Sequence, residues 1–278
     1  MLNVLSIDVE EHYQAHAFEN VIDRTDWDRQ PSRVVANTER ILRLLAKHQV
    51  RATFFVLGWV ADRHPGLVRQ IAQAGHEIGT HGYWHQLIYR QNQTEFAADV
   101  RHSIEAIQRV LPSWKPLGYR APAFSIVQDS LWALDVLSAL GFRYDSSIFP
   151  LLAHDRYGIS TASRFGSRLP NGMWEIPIST VRVAGRNWPV AGGGYFRLFP
   201  LWLTRSAIRH INAEGQPAVI YLHPWEFDPD QPRVVNAPLT SRFRHYVNLD
   251  RTELRLESLL CEFRFGSVVD VFASKLGS

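Results

Sequence analysis

The chain has 278 residues, 46% of them hydrophobic and 21% charged, with a formal net charge of +3 and a single cysteine. This composition excludes a disordered or fibrous protein, and a lone cysteine excludes an intramolecular disulfide. Lys and Arg are scattered among Asp and Glu, so neither a nucleic-acid partner nor membrane-surface binding is expected.

LNVLSID (2–8) is a short apolar run ending in a charged residue, which predicts a buried parallel strand that delivers a side chain at its C-terminal end. The opening MLNVLSIDVEEH lacks the basic start and sustained apolar stretch of a signal peptide. The longest apolar run, near ATFFVLGWVA, falls short of the roughly 20 residues a membrane span requires. A cytoplasmic protein without an integral membrane segment is therefore expected. VVANTERILRLLAKHQ then places Val34, Thr38, Ile41, Leu42 and Leu45 on one helical face.

The alternation continues. ATFFVLG reads as strand and PGLVRQIAQAG as helix, then HEIGTHG as strand plus loop and TEFAADVRHSIEAIQRVL as helix. LGYRAP, DSLWALDVLSALG and FRYDSS follow in the same manner. Repeated strand, loop and helix units imply a parallel sheet with right-handed crossovers. From 146 to 200 the pattern gives way to a stretch rich in Pro, Gly and aromatics, with MWEIPIST its most strand-like part. Regular units resume with LWLTRSAIRHINAEG and PAVIYLH, so 146–200 reads as an elaborated loop and not a second domain. The C-terminal extension, 224–278, is loop-like up to the helix TELRLESLLCEF, in which Cys261 reads as a core residue, and ends in a short strand, SVVDV. About seven βα units are counted, which predicts an α/β fold, a single domain over 1–278, and a barrel slightly short of eight units. The glycine triplet 192–194 is followed by no Lys-Ser/Thr pair, so it is read as a flexible or tightly packed loop and not a phosphate-binding one.

In such architectures functional groups collect at the C-terminal ends of strands. Four ends carry unusual polar residues: Asp8 with Glu10, His81 with His85, Arg120, and His223. His81 and His85 lie four apart in GTHGYWH, where flanking glycines favour a loop over a helix. A hydrolytic metal site keeps three protein ligands and leaves a position for water. SIDVEE supplies the third: of Asp8 and Glu10, two apart and on one side of a strand, one can bind metal while the other takes a proton from water. His223, at the end of PAVIYLH, has the residue type of a general acid for a leaving amine, and Asp145 in YDSS is expected to hold its ring. Arg120 in GYRAP needs an anionic partner if buried, and Asp8 is the candidate. Tyr83, Trp84, Tyr195, Phe196 and Trp225 fall in or beside the strand-end loops, and Trp84, Tyr195 and Trp225 are candidates for a substrate-binding platform. Glu226, Asp228 and Asp230 read as the rim of the same region or as a solvated loop.

The ordered set Asp8-x-Glu10, His81-x-x-x-His85, Arg120-x-Pro122, Asp145 and Leu222-His223 resembles the polysaccharide deacetylase family with the NodB-homology fold, a family of carbohydrate esterases. DVEEHYQ, TFFVLGWVA, GYRAPAFS, RYDSSIFP, AGGGYFRLFP, YLHPWEFDPDQPR and SRFRHYVNLDRTE further resemble the branch found in exopolysaccharide loci linked to exosortase and PEP-CTERM systems. The resemblance implies a distorted (β/α)7-type, TIM-like barrel that binds one divalent metal, usually Zn2+. The implied reaction is hydrolysis of the N-acetyl group of an amino sugar in a polysaccharide or a lipid-linked oligosaccharide. By motif position Asp8 would be the general base, Glu10, His81 and His85 the metal ligands, and His223 the general acid. Arg120 would orient Asp8, Asp145 would support His223, and the backbone amide near Ala123 would help stabilise the oxyanion. Many members carry two adjacent aspartates in the first motif; Val9 stands at the second place here, which shifts the expected ligand to Glu10. Hydrolysis of another linear amide and a non-catalytic carbohydrate-binding barrel are the alternatives.

Overall fold

A computed structural model describes residues 1–151 and 158–277. Eleven strands occur among these residues: β1 Leu2–Val9, β2 Thr53–Val56, β3 Glu77–Thr80, β4 Gly118–Tyr119, β5 Tyr144–Asp145, β6 Ser167–Arg168, β7 Trp174–Glu175, β8 Thr180–Val183, β9 Arg186–Pro189, β10 Val219–Leu222 and β11 Arg264–Gly266. The helices are α1 Val34–Lys47, α2 Gly58–Arg63, α3 Pro65–Gln73, α4 Gln93–Val110, α5 Trp132–Ala139, α6 Gly193–Leu198, α7 Leu201–Ala213, α8 Leu239–Tyr246, α9 Thr252–Glu262, α10 Val268–Val271 and α11 Ala273–Leu276. The main sheet runs β10-β1-β2-β3-β4-β5-β7-β6, parallel except for β6 against β7, with β11 also paired to β1. After β7, Ser179 donates its N–H to the Val219 carbonyl at 3.3 Å and accepts the Val219 N–H on its hydroxyl at 2.7 Å. That contact brings the far side of the curl back to β10, giving the distorted (β/α)7-type barrel the strand count implied.

Period-two alternation explains β1. Leu5, Ile7 and Val9 are fully buried apolar residues on one face, and each buried side chain of this size contributes about 2 kcal/mol. Ser6, Asp8 and Glu10 alternate with Ile7 and Val9, and Ser6 and Asp8 meet Arg120 inside the curl. The sheet-facing stripe of α1 is the one its periodicity predicts, with Val34, Thr38, Ile41, Leu42 and Leu45 all buried. Gly118 is dictated by close approach: a Cβ there would lie 2.0 Å from the Tyr144 ring.

Three local expectations change. SVVDV is not a strand: pairing to β1 uses Arg264–Gly266, and Ser267 then caps α10, its hydroxyl accepting from the Asp270 N–H. The β-branched residues suggested strand, but the Ser-x-x-Asp capping box decides for helix. MWEIPIST divides into the two-residue β7 and the start of β8, whose partner β9 makes a separate antiparallel hairpin. Cys261 is exposed, because α9 buries Thr252, Leu256, Leu259 and Leu260 and turns the cysteine outward. The elaborated loop of 146–200 includes 152–157, which lie outside the described residues.

Candidate active site

The C-terminal ends of β1, β3 and β10 open on a cavity of about 420 Å³ lined by Asp8, Glu10, His81, His85, Ala123 and His223, among others. At β3 the loop geometry follows from its glycine and an acidic anchor. His81 continues the ladder, donating its N–H to Val56 at 3.0 Å, and Gly82 then turns with φ 74°. The Asp99 carboxylate on α4 accepts the N–H groups of Tyr83 at 2.8 Å and Trp84 at 3.1 Å. His85 is itself left-handed, φ 52°, and the reversed chain sets the two imidazole centroids 5.3 Å apart. The histidine pair is thus held by a loop.

Glu10 faces that pair. Its Oε2 lies 2.7 Å from His85 Nε2 and 3.7 Å from His81 Nε2, while its Oε1 accepts the Trp225 indole N–H at 3.1 Å. His81 Nδ1 is engaged by the Arg120 carbonyl at 2.8 Å, so its proton sits there and Nε2 presents a lone pair. Burial works against a charged Glu10, but the positive potential of His85 and the contacts of both imidazoles hold its pKa well below the ordinary carboxylate value. Glu10 Oε2 is buried without a hydrogen bond of acceptable geometry, despite its short distance to His85. One carboxylate oxygen and two imidazole nitrogens within 4.8 Å of one another form a donor set that fits a divalent metal, with one carboxylate and two histidines as in hydrolytic zinc sites.

Asp8 points elsewhere. Its Oδ1 accepts from Arg120 at 2.9 Å, and the fully buried guanidinium also donates to the Ser6 hydroxyl at 2.6 Å, the Ser146 hydroxyl at 2.7 Å and the Ser146 carbonyl at 3.0 Å. A buried Arg held by four hydrogen bonds is a fixed charge that keeps Asp8 oriented. His223 Nε2 lies 3.9 Å from Asp8 Oδ2 and 3.9 Å from Glu10 Oε1. Burial would lower its pKa, yet the Glu226 hydrogen bond and the charges of Glu10, Glu226 and Asp8 push it up to about 9. Ala123, φ 50°, and Phe124, φ 54°, are two consecutive left-handed residues on the cavity wall.

The support of His223 is not where it was expected. Asp145 accepts from Ser147, N–H at 3.0 Å and hydroxyl at 2.6 Å, and pairs in register with Glu175 across β5 and β7. Burial raises the pKa of both carboxyls, and Asp145 pushes Glu175 well up, so this is a pair that retains a proton. Glu226 holds His223 instead, accepting at Nδ1 at 2.8 Å and from the backbone N–H at 3.0 Å. Arg197 of α6 donates to the other Glu226 oxygen at 2.6 Å and bonds the carbonyls of Arg244, His245 and Val247. Burial would raise the Glu226 pKa, but Arg197 and His223 hold it below the ordinary value. Glu226 was read as a rim residue and Arg197 was not singled out. The spacing His-x-x-Glu after a strand was the available signal, since it closes a capping box on a 3-10 turn.

The aromatic candidates separate. Tyr195 lines the cavity. Trp225 also reaches it, but its ring is buried between His223, centroid 4.9 Å away, and His245, 4.1 Å away, so it positions Glu10 and offers no open face. Trp84 packs against Tyr83 and Trp27, at 4.7 Å and 6.3 Å, and is absent from the cavity wall. Two of the three glycines are tightly packed, a Cβ on Gly192 lying 2.1 Å from the Tyr221 carbonyl oxygen and one on Gly193 2.7 Å from the Tyr221 hydroxyl, whereas Gly194 has open space.

A curled parallel sheet with a carboxylate and two histidines gathered at its C-terminal rim is an α/β barrel with a candidate metal site. Residues 25–144 match the family described as polysaccharide deacetylase, and residues 146–273 match a domain of unknown function, DUF3473. A peptidoglycan-N-acetylglucosamine deacetylase of Bacillus cereus is 36% identical over 99 residues, covering 35% of this chain and 36% of the relative. A chitooligosaccharide deacetylase of Bradyrhizobium is 33% identical over 101 residues, covering 36% of this chain and 43% of the relative. The chain therefore spans less than half the length of these two relatives. Among solved structures, a putative polysaccharide deacetylase from Mycobacterium smegmatis shares the fold, with TM-score 0.64 at 20% identity, over 98% of this chain and 90% of that one. His81, His85 and Arg120 lie in the first matched segment, His223 and Glu226 in the second, and Asp8 and Glu10 precede both.

Proposed function

We propose that this protein is a metal-dependent N-deacetylase of amino-sugar polysaccharides, acting on N-acetylhexosamine units of an exopolysaccharide or of its lipid-linked precursor and releasing acetate. The observation that carries this reading is the convergence of the Glu10, His81 and His85 donor atoms within 4.8 Å, with Asp8 and His223 beside them. The similarity of residues 25–144 to deacetylases of N-acetylated glycans supports the substrate class.

Glu10, His81 and His85 would hold the cation, for which zinc suits the nitrogen and oxygen donors. When bound it supplies Lewis-acid activation of water and of the amide carbonyl. Asp8, aimed by Arg120, removes a proton from the attacking water. The backbone around Ala123 offers an N–H to the oxygen that gains charge. His223, held by Glu226 at Nδ1, delivers a proton from Nε2 to the sugar nitrogen, because an amide does not readily expel an unprotonated amine. Water and the N-acetyl amide are consumed; acetate and a free amino sugar are formed.

The test uses zinc-loaded protein with N-acetylglucosamine oligomers, peptidoglycan and an isolated acetylated exopolysaccharide, reading acetate. Asp8→Asn should lower kcat by about 10²- to 10⁴-fold with metal content unchanged. Cleavage of small linear amides without acetate from any glycan would assign a different substrate. Glycan binding with no turnover of either kind would assign a binding barrel.

A further inference from the structure

Six of the exposed large apolar side chains fall between residues 198 and 254: Leu198, Trp202, Val235, Leu239, Phe243 and Leu254. Their distribution is not that of singly scattered surface residues. Helix α8 is turned inside out, with Leu239 and Phe243, one turn apart, 78% and 60% exposed while His245 is buried. Ser241 and Arg244 of the same helix line the cavity together with Leu198, so the apolar pair stands at its rim. Arg255 of α9 donates to the carbonyls of Phe196, Arg197 and Phe199, which seats the turn carrying Leu254 against the end of α6. Trp202, 66% exposed, follows at the start of α7.

Cations are interleaved with these groups. Residues 233–251 hold four arginines against one aspartate, Asp250, which lies 4.0 Å from Arg251. Arg242 and Arg244 have no acidic partner among the described residues. The even scatter of charge along the whole sequence conceals this local excess.

We propose that this rim docks the protein on an anionic lipid surface, with the cavity mouth beside the bilayer. Leu, Phe and Trp side chains enter the headgroup boundary while neighbouring arginines meet lipid phosphates. Charge complementarity selects this occupant: a second copy would bring the same arginines against themselves. No described helix is long and apolar enough to cross a membrane, so the attachment is to the surface. The inference goes beyond the proposed reaction and does not depend on it.

Co-sedimentation of the full chain with vesicles of equimolar phosphatidylglycerol and phosphatidylcholine tests it, with phosphatidylcholine alone as reference. Expected are binding to the anionic vesicles, weakening as salt rises, and a loss of about tenfold in the double variant Leu239→Ser, Phe243→Ser. Circular dichroism and turnover of a soluble N-acetylglucosamine oligomer should be unchanged in that variant; if it fails to fold, Trp202→Ser replaces it. Binding to neither vesicle, equal binding by wild type and folded variant, or a concentration-dependent dimer abolished by the same substitutions would each overturn the proposal.

Discussion

The two oxygens of Glu10 have different duties: the Trp225 indole N–H holds Oε1, and Oε2 is left for the histidine pair. That division makes Trp225 a positioning residue for the carboxylate. Trp225→Phe is expected to keep the fold and weaken zinc affinity by about 10- to 100-fold, measured by competition with a chelating dye. Unchanged affinity would show that Glu10 needs no anchor. Glu226 does the corresponding work for His223. Glu226→Gln should cost about 10- to 100-fold in kcat with zinc content unchanged. Asp145→Asn should leave the orientation of His223 intact, because the Asp145 hydrogen bonds go to Ser147. At this scale the convergence of Glu10, His81 and His85 was legible in the sequence because each sits within two residues of a strand end or in one short loop. The His223–Glu226–Arg197 chain was not, since Arg197 comes from a helix in the irregular segment 146–200 and meets Glu226 only through folding.

Short strands make close contacts between elements. β4 has two residues, and its glycine lets the Tyr144 ring of β5 lie across it. Gly118→Ala should therefore destabilise the protein by about 3 kcal/mol, since a fixed ring and backbone leave the methyl no room. A melting temperature within a degree or so of wild type would contradict the packing described. At the opposite end of β3, His76 Nδ1 accepts the Ala52 N–H at 3.2 Å, which only the neutral ring can do. Burial, with the charge of Arg51 adding to it, lowers the His76 pKa from 6.5 to about 4. Between those values the unfolded chain binds the extra proton, so stability is complete above about pH 6.5 and falls as pH drops toward 4. The ring is partly exposed, so after allowing for solvent screening the loss is about 1 kcal/mol. Urea titrations from pH 7 to pH 5 should show a smaller decline in His76→Gln than in wild type. The βα alternation and the α1 face were readable from apolar periodicity. The α10 helix was not, because Val268, Val269 and Val271 carry β propensity and the Ser267 cap outweighs it.

At the scale of the molecule, the candidate metal site joins the end of β1 to the loop after β3, with β2 between them. Ligation therefore constrains strands that are not neighbours, and zinc at 100 times its Kd should add about 3 kcal/mol to stability. Removing it with a chelator is expected to lower the melting temperature by roughly 5 to 10 °C, and His81→Ala should be indifferent to the same treatment. Equal melting with and without zinc would argue against this ligand set. The barrel class could be inferred from counting units, whereas its closure through Ser179 and Val219 could not, because that contact lies in an irregular segment with no periodicity.

β1 carries a further implication. It is made from residues 2–9, yet it is paired with β10 at 219–222 and with β11 at 264–266. Asp8 thus waits, during synthesis, for His223, encoded more than two hundred residues later, although Arg120 is already made. Such long-range pairing is slow to form. A ribosome-bound chain that has emerged only as far as α7 can fold its early βα units but has no His223 to place beside Asp8. A chain that stops short of β10 therefore cannot bring Asp8 and His223 together.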